Sequence, residues 1–390
     1  MLNSIENFTM IQKIGEGSFS EVLKVVNIKT GQIFAAKRLI RQLNLNELRN
    51  FIELRVLRKL DHHPNVLGLI DFIYEQEAGI LTLLFNLMDK SLFDLIKDRR
   101  RRLSETRCKN LLYQMVNGLN FLHNNGIFHR DVKPENILIK VECNNSFVNP
   151  TRRELLQIGD LGSAGYTSSP QPYTGYVGTR WYRAPECLLT DGFYGPKMDI
   201  WATGCCFYEI LTLDPLFPGE NDIDQLHKIH DVIGTPSNET LQKFNGLTMD
   251  VEFPKKSRID FYMLVPRLSH HGVDVMKKML VYHPTSRISA RKLLQHAYFD
   301  DMKALEARDS IAARITFENI NDNDDKRDFI RLKQRAQSEY RQIKKIEMEL
   351  TKRIEKQLER GWNMPDCDKK KTFVRAMTFA GKNAKKINFT

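Results

Sequence analysis

HRDVKPEN, His129 to Asn136, is the stretch that decides how this chain reads. Asp131 can orient an attacking hydroxyl and accept its proton. Lys133 can stabilise charge on a transferring phosphoryl group, and Asn136, five residues after Asp131, can bind a metal ion. Downstream, GDLGS supplies Asp160, a carboxylate suited to magnesium. Phosphoryl transfer needs positioning and charge neutralisation around a Mg-bound triphosphate, which is what this set offers. Upstream, GEGSFSEV (Gly15 to Val22) follows the strand-like run MIQKI. Its small residues let backbone amides approach a phosphate, although alone the stretch also reads as an ordinary hairpin turn. FAAK then ends at Lys37, whose ammonium can neutralise nucleotide phosphates, and Glu53 is its candidate partner. Each residue singly has a plain surface reading. Their order, closed by Ala184-Pro185-Glu186, carries the inference.

Hydrophobic periodicity organises the rest. Residues 8–40 read as strands with a turn at Lys29-Thr30-Gly31-Gln32, and 66–85 as strands again. Residues 44–60 read as one amphipathic helix with Leu48, Phe51, Ile52, Val56 and Leu60 on one face. Helical periods dominate from 92 onward, at 92–98, 105–124, 197–213 and 222–232. The class is therefore α+β: a small β-rich lobe (8–85), a hinge (86–88) and a larger α-rich lobe (89–299), with a cleft between the lobes as the expected ligand site. Polar, Asn-rich residues 141–157 read as a surface insertion. Residues 1–7 form an N-terminal extension. Residues 300–390 form a basic tail, with an Asn/Asp-rich joint at 320–326 and helical spacing over 327–360. There is no internal repeat.

Composition is ordinary for a globular chain: 42% hydrophobic and 27% charged, which excludes a collagen, a disulfide miniprotein and a wholly disordered chain. The net charge is +11, of which residues 301–390 supply +7 (22 basic against 15 acidic). The remaining +4 is too diffuse to call for nucleic acid. Phe and Lys interleave in KTFVRAMTFAGKNAKKINFT, yet without a recognisable nucleic-acid fold that partner is disfavoured. Six cysteines at 108, 143, 187, 205, 206 and 367 make no CxxC pair and read as reduced intracellular thiols, with Cys205 and Cys206 in the core. The N-terminus has no signal pattern, and no apolar run approaches a membrane span. Arg99 to Arg102 form a four-arginine run before Ser104, a candidate helix cap. The run reads as a solvated loop or as a recruiter of an acidic substrate or phosphopeptide.

Through HNNGIFHRDVKPENILIK, TRWYRAPECLLTDGFY, KMDIWATGC and PLFPGENDIDQLHKIHDVIGTP, residues 8–299 resemble the eukaryotic protein kinase domain. Within it they are similar to the group of cyclin-dependent and MAP kinases, and there to the MAK/MOK family. The resemblance implies a bilobal kinase fold using ATP and Mg2+. It makes Asp131, Lys133 and Thr179 catalytic, with Thr179 hydrogen-bonding the aspartate and the lysine. It makes Asn136 and Asp160 metal ligands. It gives the ATP site to Ile14, Gly15, Glu16, Gly17, Ser18, Val22, Ala35, Lys37, Glu53, Phe85 as gatekeeper, Asn86, Met88, Asn136, Leu138 and Asp160. Asp199 would brace the catalytic loop, and Arg287 would pair with Glu186.

The activation segment runs from Asp160 to Glu186 and holds Thr174-Gly175-Tyr176, a TxY motif. Phosphorylation there, by an upstream kinase or by the chain itself, would be met by Arg130, Arg180 and Arg183. Arg183 in WYRAPE goes with Ser/Thr-Pro substrates. Ser20 replaces a loop glycine, and Leu161 replaces the usual phenylalanine after Asp160. The family places such kinases in the cytoplasm and in cilia or flagella, whose length they restrict. It leaves the tail to the kinase body or to a cytoskeletal partner. The rival reading is a pseudokinase or scaffold. Against it, Lys37, Asp131, Asn136 and Asp160 are all present.

Overall fold

The computed structural model describes residues 7–17, 19–144, 151–173, 179–248 and 253–304, all inside the compact unit Leu2–Ala304. The 327–360 helix, the joint at 320–326 and the Thr174–Tyr176 motif lie outside the described residues, as does Ser18.

Strands β1 (Phe8–Glu16), β2 (Ser20–Asn27), β3 (Ile33–Leu39), β4 (Leu69–Glu75) and β5 (Ile80–Asn86) form one antiparallel sheet in the order β1-β2-β3-β5-β4. The period-two alternation of β3 explains its place. Phe34 and Ala36 point into a cluster with Val25, Ile73 and Leu84, so Ala35 and Lys37 face the other way. The register sets Lys37 opposite Val22 on one side and Leu83 on the other. The turn after β2 forms at 29–32 as read, closed by Asn27 Oδ1 accepting from Lys29 N and Thr30 N, with Gly31 at φ 70°. Gly15 and Glu16 belong to β1 rather than to a loop.

The single helix read over 44–60 is two: α1 (Leu45–Asn50) and α2 (Ile52–Lys59). Asn44 starts α1 with a reciprocal capping box to Glu47. At its end the Asn50 side chain donates to the Asn46 carbonyl (3.1 Å), a local bond that competes with the helical ladder. Phe51 then turns extended, at φ −64° and ψ 110°. The break re-aims α2 so that Leu54, Val56 and Leu57 are buried together with Glu53.

The second lobe is built on α4 (Glu105–Asn124) and α6 (Lys197–Thr212), which follow α3 (Leu92–Ile96) and α5 (Pro185–Leu189) in chain order. On α4, Cys108, Leu111, Leu112, Met115, Val116, Leu119 and Leu122 are fully buried at helical spacing. Gly118 is required there, since a Cβ would stand 2.5 Å from the Asn65 carbonyl. Helix α6 is buried on nearly all sides, Trp201, Cys205, Cys206 and Phe207 included. Each such apolar side chain contributes about 1.5–3 kcal/mol. Around this core lie α7 (Asp222–Ile233), α8 (Asn238–Leu241), α9 (Phe261–Leu264), α10 (His270–Met279) and α11 (Ala290–Leu294).

Short strands bring the chain back under the cleft: β6 (Lys90–Ser91), β7 (Ile127–Phe128), β8 (Ile137–Asn144), β9 (Thr151–Ile158) and β10 (Gly165–Tyr166). The 141–157 stretch, read as a surface insertion, is largely the β8–β9 hairpin, paired from Ile137↔Ile158 to Asn144↔Thr151. Leu156 in it is fully buried. Its polar composition hid an edge that is solvated on one face only. Asn65 O accepts from Ile158 N (2.9 Å) and Ile158 O accepts from Leu67 N (2.8 Å), so β9 is tied to the segment between α2 and β4.

Candidate active site

Four backbone pieces converge at the cleft. Strand β3 brings Lys37, α2 brings Glu53, the loop after β7 brings Asp131 to Asn136, and the turn after β9 brings Asp160. Lys37 Nζ lies 2.9 and 2.8 Å from the two Glu53 carboxylate oxygens and 2.7 Å from Asp160 Oδ1. Burial works against the Lys37 charge, but the two carboxylates outweigh it and hold its pKa above the ordinary value. Burial likewise opposes the Asp160 charge, and Lys37 overcomes it, so Asp160 titrates below the usual carboxylate range. Both are charged at neutral pH. Glu53 is buried, whereas the Asp160 side chain is 46% exposed and open to a ligand. Gly162 crowds this corner, because a Cβ there would come within 3.1 Å of Asp160 Oδ1.

Asp131 is 8% exposed. Its Oδ2 forms an ion pair with Lys133 Nζ (2.8 Å) and accepts from Asn136 Nδ2 (3.0 Å), which also donates to the Asp131 carbonyl (2.8 Å). With its nitrogen committed, Asn136 keeps its amide oxygen for a cation. Together with Asp160 it offers hard oxygen donors of the kind Mg2+ takes, so the residues present fit the metal. Arg130 (φ 72°) and Asp160 (φ 54°) both hold left-handed backbone, a strain found where function over-determines geometry. Asp199 fixes the first: its Oδ2 accepts from His129 N (2.8 Å) and His123 Nε2 (2.8 Å), and its Oδ1 from Arg130 N (2.9 Å). The His129 ring donates through Nε2 to the Gly159 carbonyl (2.8 Å), linking this loop to the residue before Asp160.

Other positions fall as follows. Ala35 sits opposite Phe85 on β5, and Phe85 is buried at the back of the cleft, next to Asn86, with Met88 half-buried beyond it. Val22 faces both Gly15 and Lys37 across the sheet. Ile14 is exposed, and Leu138 on β8 touches the space above Gly159. Leu161 is buried, as an apolar substitute should be. Thr179 is not brought together with its expected partners: among the described residues its hydroxyl bonds neither Asp131 nor Lys133, and it caps the turn Arg180–Tyr182 without a side-chain bond. Arg180 and Arg183 meet at one carboxylate. Both reach Asp222, at 2.7 and 3.2 Å, so a carboxylate already occupies the charge they present. Arg130 donates to the Tyr194 hydroxyl (2.7 Å).

Sequence reasoning missed Asp222, whose only signal was the Asn-Asp-Ile-Asp helix start. It also missed Glu209, which accepts from the Tyr182 hydroxyl (2.7 Å). Burial pushes the Glu209 carboxyl up to about 7, against the Tyr182 hydrogen bond and with help from Glu135 and Asp214. A carboxyl raised from an unfolded value of about 4.3 contributes stability below that value and loses it as pH rises toward 7. Glu209→Gln keeps an acceptor and removes the titration. Denaturant unfolding between about pH 4.5 and 7.5 should show wild type losing about 3 kcal/mol relative to the variant. Parallel curves would exclude it.

Residues 8–299 match the family model of the protein kinase domain. The chain is 44% identical over 306 residues to the MAPK/MAK/MRK overlapping kinase of Homo sapiens, covering 78% of this chain and 70% of that protein. It is 37% identical over 298 residues to the serine/threonine-protein kinase MAK of Homo sapiens (76% of this chain, 46% of that protein). It is 35% identical over 305 residues to cyclin-dependent kinase F-3 of Oryza sativa subsp. japonica (76% and 66%).

Proposed function

Because the chain belongs to the protein kinase family, as a serine/threonine kinase of the MAK/MOK branch, we propose that it phosphorylates Ser/Thr-Pro sites with Mg·ATP through Asp131, Lys133, Lys37, Asn136 and Asp160. The observation that carries this reading is the Lys37 ammonium seated between Glu53 and Asp160, with Asp131 and Asn136 bonded to each other nearby.

In this reading Lys37 holds nucleotide phosphates, and Glu53 keeps it in place. Asn136 Oδ1 and Asp160 would hold Mg2+, which when bound neutralises phosphate charge. Asp131 orients the substrate hydroxyl and takes its proton. Lys133, beside Asp131, offsets charge on the transferred group. The test is transfer of labelled phosphate from ATP to Ser/Thr-Pro peptides. Correctly folded protein that binds Mg·ATP but labels no acceptor returns the chain to the scaffold reading. A peptide array should show at least tenfold preference for proline after the acceptor (a difference of about 1.4 kcal/mol), and an array without that bias removes the Pro-directed assignment.

The Thr174/Tyr176 switch belongs to the same proposal. Support comes from Arg180 and Arg183 converging on the single carboxylate of Asp222, a pair of guanidiniums that a dianionic phosphate would match more strongly. Tyr176→Phe should lower activity about tenfold or more. Full activity with neither residue phosphorylated, read by intact mass, rules the switch out. The setting we assign, on family resemblance alone, is the cytoplasm and the cilium or flagellum, with restriction of its length as the role. Absence of the tagged full-length chain from cilia would contradict it.

A further inference from the structure

Between α3 and α4 the chain makes a six-residue loop, Lys97 to Arg102, that carries five cationic side chains and one carboxylate, Asp98. Every residue of it is exposed. The loop is nevertheless held at both ends. Ile96 and Leu103 are buried on either side, and Ser104 caps α4 by accepting from Arg107 N. Within the loop, Lys97 N bonds Phe93 O (2.7 Å), Arg99 N bonds Ile96 O (3.2 Å), and Arg99 Nε donates to Arg101 O (2.9 Å).

Three acidic groups flanking the loop are engaged elsewhere. Asp94 caps α3 through Ser91 N and Oγ (2.9 and 2.7 Å), Glu105 accepts from Ser269 N and Oγ (3.1 and 2.6 Å), and Glu154 binds Arg107. Among the described residues no ion pair is formed by Arg99, Arg100, Arg101 or Arg102. A loop tied at both ends that displays four consecutive guanidiniums, offset within it only by the single carboxylate of Asp98, is a preorganised receptor for anionic groups.

We propose that the Lys97–Arg102 loop docks acidic peptide segments of protein substrates or regulators, bearing carboxylates or phosphates. Helix α4, 20 residues long and so about 30 Å from end to end, starts just after this loop and ends two residues before β7. A segment docked here is proposed to lie outside the residues around the phosphoacceptor. A peptide suits the patch better than nucleic acid, because the positive charge is confined to one short loop on a body carrying only +4 over residues 1–300, not spread along a groove. The kinase reading enters only in naming substrates as a source of such segments.

The test uses the full-length chain and fluorescence anisotropy with three labelled twelve-residue peptides: a Glu/Gly repeat, its phosphoserine counterpart, and a Gln/Gly control. Both acidic peptides should bind, the phosphopeptide more tightly, and both should weaken at high salt. The exposed triple variant Arg100→Glu/Arg101→Glu/Arg102→Glu should lose about tenfold in affinity with an unchanged melting temperature. In phosphorylation assays it should raise KM about tenfold for a substrate carrying a distal Glu/Gly segment, leave kcat alone, and leave a short peptide substrate unaffected. Equal affinity of wild type and variant, equal binding of the Gln/Gly peptide, or tighter binding of oligo-dT than of either acidic peptide would overturn the proposal. The binding arm involves no catalysis, so its failure is distinguishable from failure of the kinase assignment.

Discussion

Asp131→Asn should lower kcat by about a thousandfold while leaving the fold and Mg·ATP binding in place. The variant keeps the side chain's shape and one acceptor oxygen, so Asn136 Nδ2 and Lys133 Nζ retain a polar neighbour at their present 3.0 and 2.8 Å. It loses the negative charge and the proton acceptor. Positioned general bases supply about 10²–10⁴ in rate, and the Asp131 carboxylate lies 2.8 Å from Lys133 Nζ. Single-turnover phosphoryl transfer together with nucleotide-binding calorimetry decides the matter. A variant with near wild-type kcat would remove Asp131 from the proton-transfer role and leave only a positioning one.

The second large effect is on stability. Glu186 and Arg287 form a bidentate pair at 2.7 and 2.9 Å with both side chains fully buried. Arg287 spends its other donors on the carbonyls of Val281 (3.0 Å), Lys197 (2.8 Å) and Tyr282 (3.1 Å), and its guanidinium lies 5.1 Å from the Trp201 ring centroid. Glu186→Ala strands that cation in the core, which should cost about 3–5 kcal/mol in urea unfolding. Replacing both partners with apolar residues of similar size should cost far less, because no unpaired charge remains. If the single variant unfolds at the wild-type midpoint, the pair is not what fastens the end of the activation segment to the helical core.

What the sequence made legible was mostly local. His129 to Asn136 act within one loop, so their spacing alone carried their chemistry. Lys37 stood out at the end of FAAK, and Glu53 on the amphipathic helix gained weight as its partner only from the motifs that follow. Contacts between distant segments left no such trace. Asp222 meets Arg180 and Arg183 across about 40 residues, and Glu209 meets Tyr182 across 27. Nothing periodic marks either pairing. The break at Phe51 was hidden because Leu48, Phe51, Ile52 and Val56 keep helical spacing through it, while the Asn50–Asn46 bond that competes with the ladder is a side-chain event. The β8–β9 pairing was hidden by the opposite effect: the polar composition of 141–157 reads as loop even though Leu156 is buried.

The tie between β9 and the Asn65–Leu67 segment has a mechanical consequence. Glu53 stands on α2, the helix that precedes that segment, and Asp160 comes two residues after Ile158. The two carboxylates that grip Lys37 from separate parts of the chain therefore hang from a shared anchorage. The seat of α2 and the bonds at Ile158 thus bear jointly on where the two carboxylates stand, as two legs of one trestle.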